Sequence, residues 1–443
     1  MLVEDAKTYI EAFRNSRISR EELRELQYKK LRRVIALAYQ NVPFYRRRFA
    51  RASTLEGFGF RSLEDLRTLP ILERSDVERN GEAMISQNLI NTLGSYSSTT
   101  GTSGARIRLA FSREYHAVTT AMTVRHLLHY GARPWHRIVS IWPPTSYWRP
   151  GQDRDGRLKR DTFSLSFPLG VLGRPLPFLK PLLSSNWDVE RDAEVLRSMN
   201  PDFVICRPSN LRRIGRFLKA RGESIHPRGL VLTNEVFTQT CARELEGLYG
   251  SEIFWGYGAA EVGPMGAVCT AHRGLHFNED FIFPEVLKDD EPVGPGETGE
   301  LVVTSLHNPL MPFIRYRLGD VVEMADGEAC PCGSNLMRIR KVLGRKADWL
   351  MNSRREQVSP LTVADWAESS LGLADYQLIQ LDVGRFLLKT SPDEAPSPSA
   401  LQRLKQYLES TMETDVVVET SYRTPDEFWS KSRPVLSRVT LSR

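Results

Sequence analysis

An alternation of short apolar runs with amphipathic stretches constrains the fold of this chain more than any other feature. Three runs are typical of buried strands: 138–142, 203–206 and 229–232. Three stretches have the apolar periodicity of helices: 113–129, 208–220 and 238–249. Strands that alternate with helices usually pair in parallel, because each helix returns the chain to the same edge of the sheet. The alternation therefore predicts an α/β fold with largely parallel pairing.

A further helix is predicted near the start of the chain. Ser19 and Glu22 have the spacing of a capping box, in which each side chain satisfies a free backbone N–H group. Ile18 and Leu23 can pack against each other around that cap. Apolar residues then recur at helical spacing, and the helix should stop near the Asn41-Val-Pro43 segment.

The chain has 443 residues, which is too long for one hydrophobic core, so at least two domains are expected. The composition changes beyond Gly344. A compact set of predicted strands and helices follows: 376–390, 399–412 and 415–422. We therefore predict a large N-terminal domain of residues 1–343 with parallel-rich sheets, and a small α+β C-terminal domain of residues 344–443.

The charge pattern bears on possible partners. The formal net charge is +6, and basic residues cluster at 29–33 and 46–48. Acidic residues are interspersed and no nucleic-acid-binding motif occurs, so solvated helix faces are favoured over nucleic-acid binding. No stretch reaches the roughly 20 apolar residues that cross a bilayer, and no secretory leader is visible. We expect a cytoplasmic protein with no nucleic-acid or membrane partner.

The strongest local signal is a loop of glycines and hydroxyl side chains. It consists of Thr99, Thr100, Gly101, Thr102, Ser103 and Gly104. Glycines let the backbone approach a ligand closely, and successive N–H groups with hydroxyls form an anion-binding nest. Such a loop suits a polyphosphate, although it lacks the Gly-Lys-Ser/Thr ending of a P-loop. A plain flexible turn is an equally good interpretation of this loop alone.

Three further segments carry groups that could bind a nucleotide. In the segment 255–261, Tyr257 could stack on a base or pack an acyl group, and Glu261 could hold Mg²⁺, which prefers oxygen ligands. In 312–320, Asp320 could accept hydrogen bonds from ribose hydroxyls. The segment Gly344–Asp348 contains Arg345 and lies at the predicted boundary. Taken singly, each is also explained as an ordinary turn.

Together and in this order, the four segments resemble the core motifs of the adenylate-forming superfamily of acyl-CoA synthetases. Segment 296–304 resembles one of its strand motifs. Three more segments are similar to the phenylacetate–CoA ligases and their capsule-synthesis relatives: 31–49, 69–76 and 274–280. Several motifs in the correct order are more specific than any one of them. The resemblance implies a multi-subdomain N-terminal adenylate-forming domain and a small mobile C-terminal lid.

The resemblance also implies a role for each residue. The loop Thr99–Gly104 would cradle the β- and γ-phosphates of ATP, and Tyr257 with Gly258 would flank the adenine and the acyl pocket. Glu261, helped by Glu285, would bind Mg²⁺. Asp320 would hold the ribose and Arg345 would contact it. Further implied residues are Asn234 and Glu235 on an adenine-side loop, and Lys431 as a late catalytic lysine.

The implied reaction is ATP-dependent, AMP-forming activation of a carboxylic acid through an acyl adenylate, followed by transfer to CoA. The aromatic residues Trp142, Tyr147 and Trp148 hint at an aromatic acid, although ordinary packing explains them equally well. An amine or another nitrogen nucleophile is an alternative acceptor. A diverged homologue that binds nucleotide or an acyl group without turnover is a second alternative. The resemblance also makes a homodimer possible.

Some positions depart from the family pattern. Alanines stand at positions 260 and 347, where a hydroxyl residue and an aspartate are usual. Matching the end of the chain to the family places Val435 at the position of the catalytic lysine. Lys431 is the nearest lysine but lies out of register, and Arg433 or Arg438 could replace it. Loss of this charge could cost about two or three orders of magnitude in rate.

Four residues form a possible zinc site. Cys269, His272, Cys330 and Cys332 offer three thiolates and one imidazole, which is a closed tetrahedral set typical of structural zinc. Metal-bearing relatives use similar positions. The alternative is that these are unpaired cytosolic cysteines near a chance histidine. Cys206 and Cys241 lie in apolar runs and are expected in the core.

Overall fold

The computed structural model describes residues 2–49, 60–100, 106–142, 162–164, 179–184, 188–391, 394–423 and 433–439. Its α-helices, in chain order, are α1 (Leu2–Asn15), α2 (Arg20–Asn41), α3 (Pro43–Phe49), α4 (Arg74–Asn80), α5 (Arg113–His129), α6 (Val189–Met199), α7 (Pro208–Ala220), α8 (Gln239–Tyr249), α9 (Pro360–Leu371) and α10 (Pro398–Met412). Its β-strands are β1 (Leu93–Thr100), β2 (Arg106–Ser112), β3 (Ile138–Trp142), β4 (Thr162–Ser164), β5 (Leu179–Ser184), β6 (Phe203–Cys206), β7 (Gly229–Leu232), β8 (Glu252–Ala259), β9 (Gly263–Val268), β10 (Leu275–Phe277), β11 (Ile282–Lys288), β12 (Glu291–Pro292), β13 (Thr298–Ser305), β14 (Tyr316–Met324), β15 (Arg338–Arg345), β16 (Leu350–Met351), β17 (Gln357–Val358), β18 (Tyr376–Asp382), β19 (Arg385–Thr390), β20 (Val417–Tyr422) and β21 (Val435–Ser437).

One mixed sheet dominates the described residues, with strand order β12-β11-β13-β14-β15-β10-β9-β8-β7-β6-β3-β5-β4. The strands β5, β3, β6, β7 and β8 pair in parallel. From β8 through β9 to β12, neighbouring strands pair antiparallel. The predicted α/β fold is confirmed, but the parallel pairing applies only to the half of the sheet formed by the alternating segments.

The parallel half forms where the sequence predicts it. All residues of β6 and β7 are buried, because helices cover both faces of a parallel sheet and such strands become continuous apolar runs. Leu211 and Leu218 of α7 pack in the same core as Leu245 and Tyr249 of α8. The helices α5 and α7 have the predicted bounds, and Thr238 is the N-cap of α8 rather than its first residue.

The predicted capping box starts α2. The backbone N–H of Ser19 donates to Oε2 of Glu22 at 3.0 Å, and the N–H of Glu22 donates to Oγ of Ser19 at 3.2 Å. The helix ends at Asn41, next to Pro43, as predicted. The sequence interpretation missed α1. No helix in the described part of the chain is long and apolar enough to cross a membrane.

A buried polar group attaches the N-terminal helices to the large sheet. We call Asn15, Arg125, Asn278 and Asp280 the Asp280 cluster. Arg125 of α5 donates two hydrogen bonds to the Asp280 carboxylate, at 3.0 and 3.1 Å, and one to Oδ1 of Asn278 at 2.7 Å. It also donates to the carbonyl oxygen of Ala12 in α1 at 2.8 Å. Arg125 is 1% and Asp280 2% exposed, so the cluster is shielded from water.

The residues after β15 form a second, smaller sheet with strand order β20-β19-β18-β21. The strands β18 and β19 pair as an antiparallel hairpin, while β20 and β21 are parallel additions on either side. Leu378, Phe386, Leu404 and Leu408 pack in a core of their own. The domain boundary between residues 343 and 344 falls inside β15 and stays a prediction.

Candidate active site and cysteine–histidine cluster

The hairpin of β8 and β9 carries Tyr257 and leads into the turn with Glu261. Its two strands lie so close that a Cβ atom on Gly258 would be 2.6 Å from the carbonyl oxygen of Gly263. Gly263 has φ of +83°, and a Cβ atom there would be 2.5 Å from the hydroxyl oxygen of Tyr115. Glycine is therefore required at both positions, and the turn is fixed in place.

Two of the predicted residues, Tyr257 and Arg345, bind the carboxylate of a third, Asp320. The strands β14 and β15 pair Asp320 directly with Arg345. Nε of Arg345 lies 2.8 Å from Oδ1 of Asp320, and the hydroxyl of Tyr257 donates to Oδ2 at 2.6 Å. Arg345 also donates to the carbonyl oxygen of Leu318 at 2.8 Å. Residues that are far apart in sequence thus converge on one carboxylate.

Electrostatics keep these groups in defined charge states. Burial raises the pKa of Tyr257 well above its usual value, and the Asp320 carboxylate raises it further, so the phenol stays a neutral donor. The Asp320 carboxylate raises the pKa of Arg345. Each carboxylate oxygen of Asp320 has a second lone pair, and can accept a ligand hydroxyl while it keeps its protein partner.

Glu261 is buried near this group. Its Oε1 accepts from the hydroxyl of Tyr316 at 3.2 Å and lies 3.4 Å from Nη1 of Arg74. Both contacts fall on the same oxygen in the residues that the structure describes, which leaves Oε2 as a possible metal ligand. The sequence interpretation missed Arg74 and Tyr316. Arg74 belongs to the branch segment 69–76, which gave no indication of its partner.

The predicted contribution of Glu285 to Mg²⁺ binding stays a prediction, and the structure places Glu285 in an ion pair with Arg315. Its two oxygens accept from Nε and Nη2 of Arg315 at 3.1 and 3.0 Å, and both side chains are buried. Arg315 also donates to the carbonyl oxygens of Arg67 and Leu69. Both oxygens of Glu285 thus have a charged partner, whereas the contacts of Glu261 fall on Oε1.

The predicted adenine-side loop lies at the start of α7. Asn234 is in the left-handed region with φ of 68°. Oε2 of Glu235 accepts from the backbone N–H of Ser209 at 3.3 Å, and Oε1 lies 3.9 Å from Nη1 of Arg207. A carboxylate at a helix N-terminus is favoured by the helix dipole, so Glu235 stabilises this corner whether or not a nucleotide contacts it.

Other predicted residues lie at or beyond the edges of the described chain. The backbone of Thr99 and Thr100 belongs to β1, where it pairs with Ile107 and Arg106. Five predicted nucleotide-binding or catalytic residues fall outside the described residues: Gly101, Thr102, Ser103, Gly104 and Lys431. The same holds for Tyr147 and Trp148 of the aromatic group.

The structure describes Val435, the residue that stands where the family pattern has its catalytic lysine. Val435 is buried in β21, where it pairs with Leu378 of the small sheet, so this position faces a core. Arg433 donates from Nη1 to Oδ1 of Asp348 at 2.7 Å. Arg433 and Arg438 line a common pocket with Ala347 and Asp348.

A compact cysteine–histidine cluster forms, but with a different histidine. The ligand atoms of Cys269, His276, Cys330 and Cys332 all lie within 4.8 Å of one another. Sγ of Cys332 is 3.5 Å from Nε2 of His276, and the Sγ atoms of Cys269 and Cys330 are 3.6 Å apart. Burial acts to raise the pKa of Cys269, but hydrogen bonding, led by that to His276, outweighs it and lowers the pKa. The four groups therefore have the composition of a closed zinc set.

The structure groups His276, rather than the predicted His272, with the three cysteines. Its Nε2 lies 2.8 Å from Oε1 of Glu252, away from the three thiols. His272 has φ of 50° in a tight turn, which directs its side chain toward β8. His276 instead lies in the middle of the short strand β10, and its Nδ1 lies 3.1 Å from the carbonyl oxygen of Leu336. The sequence signal that could have identified His276 was the strand-like pattern of residues 275–277, which are all buried.

Comparisons with known proteins give a consistent result. No family model matches the chain. The phenylacetate–coenzyme A ligase of Thermus thermophilus is 28% identical over 342 residues, which cover 75% of this chain and 73% of that protein. The phenylacetate–coenzyme A ligase of Escherichia coli is 26% identical over 340 residues, with 75% and 73% covered.

Solved structures match a larger part of the chain. A 2-hydroxyisobutyryl-CoA ligase, in its postadenylation state with the adenylate R3-HIB-AMP, has a TM-score of 0.76 at 18% identity, covering 96% of this chain and 91% of that one. The amide bond synthetase McbA from Marinactinospora thermotolerans has a TM-score of 0.52 at 14% identity, with 77% and 67% covered. The same fold thus occurs in a CoA ligase and in an amide bond synthetase.

Proposed function

Because this chain is a sequence relative of the phenylacetate–CoA ligases and has the fold of adenylate-forming CoA ligases, we propose that it activates a carboxylic acid with ATP and passes the acyl group to CoA. The carrying observation is the convergence of Tyr257, Asp320 and Arg345, with Glu261 on the adjoining turn. Relatives named for phenylacetate favour an aromatic acid.

The proposed reaction has two steps. A carboxylate oxygen of the acid attacks the α-phosphorus of ATP, and the bond to the β-phosphate oxygen breaks, so pyrophosphate leaves with the electron pair. The thiol of CoA then loses its proton to solvent and its sulfur attacks the acyl carbon. The bond from that carbon to the phosphate oxygen breaks, so AMP leaves with the electron pair. The adenylate is needed because a free carboxylate is a poor electrophile. The protein acts mainly by positioning and by charge stabilisation.

The described residues support specific roles in the first step. Asp320 would accept hydrogen bonds from the ribose hydroxyls, because Tyr257 and Arg345 hold its carboxylate in place. Glu261 would hold Mg²⁺ through Oε2, and bound Mg²⁺ supplies neutralisation of the phosphate charge. The loop Thr99–Gly104 stays the proposed phosphate cradle, and Lys431 stays a proposed catalytic residue.

Pyrophosphate release from ATP with a panel of acids, led by phenylacetate, tests this function. We expect release with at least one acid, and a CoA thioester when CoA is added. Glu261→Gln should lower kcat by about 10²–10³-fold with the fold intact, because a positioned charge contact is lost. Glu190→Gln is the matched control, since Glu190 is exposed in a surface pair with Arg221. No release with any acid, or an unaffected Glu261→Gln variant, would contradict the assignment.

Transfer to a nitrogen nucleophile is the second candidate. It is favoured by the shared fold of the amide bond synthetase, whose product is an amide. Mass spectrometry of products formed with CoA and with a panel of amines decides between the two. An amide that forms more efficiently than the thioester would replace CoA as the proposed acceptor.

We also propose a structural zinc ion at Cys269, His276, Cys330 and Cys332. Elemental analysis of the purified protein should find about one zinc ion per chain, as a closed four-ligand set binds one ion. His276→Ala should lose the ion, whereas His272→Ala should retain it. Equal zinc content in the two variants would refute the corrected ligand set.

Two further proposals concern the setting of the protein. The cytosol is the proposed compartment, tested by fractionation of cells that produce the chain. A homodimer is the proposed assembly, tested by the particle mass in solution.

A further inference from the structure

A buried contact joins α9, which follows the proposed boundary, to the helices of the parallel half. Glu368 of α9 is 6% exposed. Its Oε2 accepts from Nη1 of Arg212 in α7 at 3.0 Å and from Oγ1 of Thr238, the N-cap of α8, at 2.8 Å. We call Arg212, Thr238 and Glu368 the α9 joint. Both bonds are buried and both connect residues more than a hundred positions apart.

Further contacts near the α9 joint also connect residues beyond β15 to α7 and α8. Oδ1 of Asp365, one turn earlier in α9, accepts from the backbone N–H of Thr240 at 3.0 Å. Glu394 accepts from Nη1 of Arg216 at 2.7 Å and from the backbone N–H of Asp375 at 2.9 Å. Glu244 of α8 binds Arg212 and Arg216 and orients both guanidinium groups. The contact surface is thus built from several oriented groups.

The helix held by this joint reaches the active site at its other end. Pro360, the first residue of α9, packs beside Gly344 of β15, where a Cβ atom on Gly344 would be 3.6 Å from Cγ of Pro360. The next residue, Arg345, makes the ion pair with Asp320. Asp348 follows and binds Arg433. A shift of α9 would therefore displace the strand end that carries Arg345.

We propose that Glu368 is a positioning residue for adenylate formation, acting through α9 on Arg345 without touching the substrate. The proposal rests on the proposed function. Arg345 and Asp320 would contact the nucleotide, so the first step should depend on the joint. The second step replaces AMP with a thiol at the acyl carbon, and the proposal assigns it no group on α9. Loss of the joint should therefore separate the two steps.

The test measures the two steps independently in the full chain. ATP–pyrophosphate exchange with phenylacetate reports the first step, and transfer from synthetic phenylacetyl-AMP to CoA reports the second. Glu368→Ala should lower exchange by at least about tenfold, because small misplacements of positioned groups are costly, and should change transfer by less than about twofold. Glu368→Gln, which keeps an acceptor oxygen for Arg212 and Thr238, should restore most of the exchange.

Glu190→Ala is the control, because it removes an exposed pair with Arg221, the C-cap residue of α7, and leaves the joint intact. Parallel losses in both steps for Glu368→Ala would mean a merely structural role and would overturn the proposal. Unchanged exchange would also overturn it.

A structural measurement separates this inference from the proposed function. Hydrogen–deuterium exchange should rise in the amides of 360–371 and 344–348 in Glu368→Ala, and should not rise in Glu190→Ala. If the wild-type chain activates no acid, the proposed function fails, and this measurement alone decides whether the joint holds α9 and Arg345. Unchanged protection of those segments would refute the joint.

Discussion

The Asp280 cluster and the α9 joint both bury an arginine–carboxylate pair, yet they differ in how completely the carboxylate is satisfied. Arg125 binds both oxygens of Asp280, and Asn15 adds a third contact at 3.3 Å. In the joint, both contacts to Glu368 fall on the single oxygen Oε2. The cluster attaches α1 and α5 to the large sheet, whereas the joint attaches α9.

The pKa values of the two buried carboxyl groups, Asp280 and Glu368, are shifted in opposite directions. Burial acts to raise the pKa of Asp280, but Arg125 and Lys30 outweigh it and lower the pKa. Burial also raises the pKa of Glu368, and there Arg212 and Thr238 do not fully compensate, so the pKa stays raised. A buried ion pair stabilises a fold only when its partners offset the loss of hydration. By this criterion the ion pair of the Asp280 cluster is better compensated than that of the α9 joint.

The largest expected effect is that of Asp280→Asn. The amide cannot neutralise the buried Arg125, so the free energy of unfolding should fall by about 3–5 kcal/mol. Urea unfolding followed by circular dichroism measures this loss. A loss below about 1 kcal/mol would remove the distinction between the two regions.

Acid should have the next largest effect on stability, through two buried histidines beside the Asp280 cluster. Burial, followed by Arg125 for His126 and by Lys30 for His307, lowers the pKa of each histidine from 6.5 to about 3. Below pH 6.5 the unfolded chain binds protons that the folded chain excludes, so stability falls as pH falls toward 3. At pH 5.5 the loss should be about 1 kcal/mol per histidine.

The unfolding free energy at pH 7.5 and 5.5, compared between wild type and a His126→Gln variant, measures this effect. The variant should lose less stability on acidification. Glu368 has the opposite sign: its raised pKa lets the folded chain bind a proton more readily than the unfolded chain, so its contribution to stability grows as pH falls through that raised pKa. An equal pH slope in the two proteins would contradict the assignment to His126.

Glu368→Gln should cost only about 1 kcal/mol of unfolding free energy, because the amide oxygen can still accept from Arg212 and Thr238. The same urea titration measures it. A loss as large as that of Asp280→Asn would mean that the joint is as tightly held as the cluster.

The smallest effect is expected at the exposed pair of Glu190 and Arg221, which are 3.0 Å apart. Glu190→Ala should change the unfolding free energy by less than about 0.5 kcal/mol, since solvent screens surface pairs. A larger change would mean that the urea titrations do not distinguish buried contacts from surface contacts.

The sequence predicted elements whose signal is local. The apolar run of β6 and the periodicity of α7 gave their bounds, and Ser19 with Glu22 gave the start of α2. Tyr257, Asp320 and Arg345 were found because they lie in ordered motifs, and their contacts follow from strand pairing.

The sequence interpretation missed contacts between residues that are distant in sequence. Nothing near Glu285 indicates that Arg315 occupies both of its oxygens. The close spacing of Cys269 and His272 suggested a ligand pair, but the positive φ of His272 turns that side chain away. The sequence could not predict the α9 joint either, because its hydrogen bonds connect segments that share no motif.

The narrow hairpin of β8 and β9 limits how this site can diversify. Gly263 accepts no side chain, because its Cβ would meet the hydroxyl of Tyr115, and Gly258 accepts none because of the opposite strand. Mutations that retune the enzyme for a different acid are therefore excluded from the two positions that flank the turn of Glu261. New specificity would have to arise on surrounding helices and loops, because side chains at these two positions would clash with the hairpin.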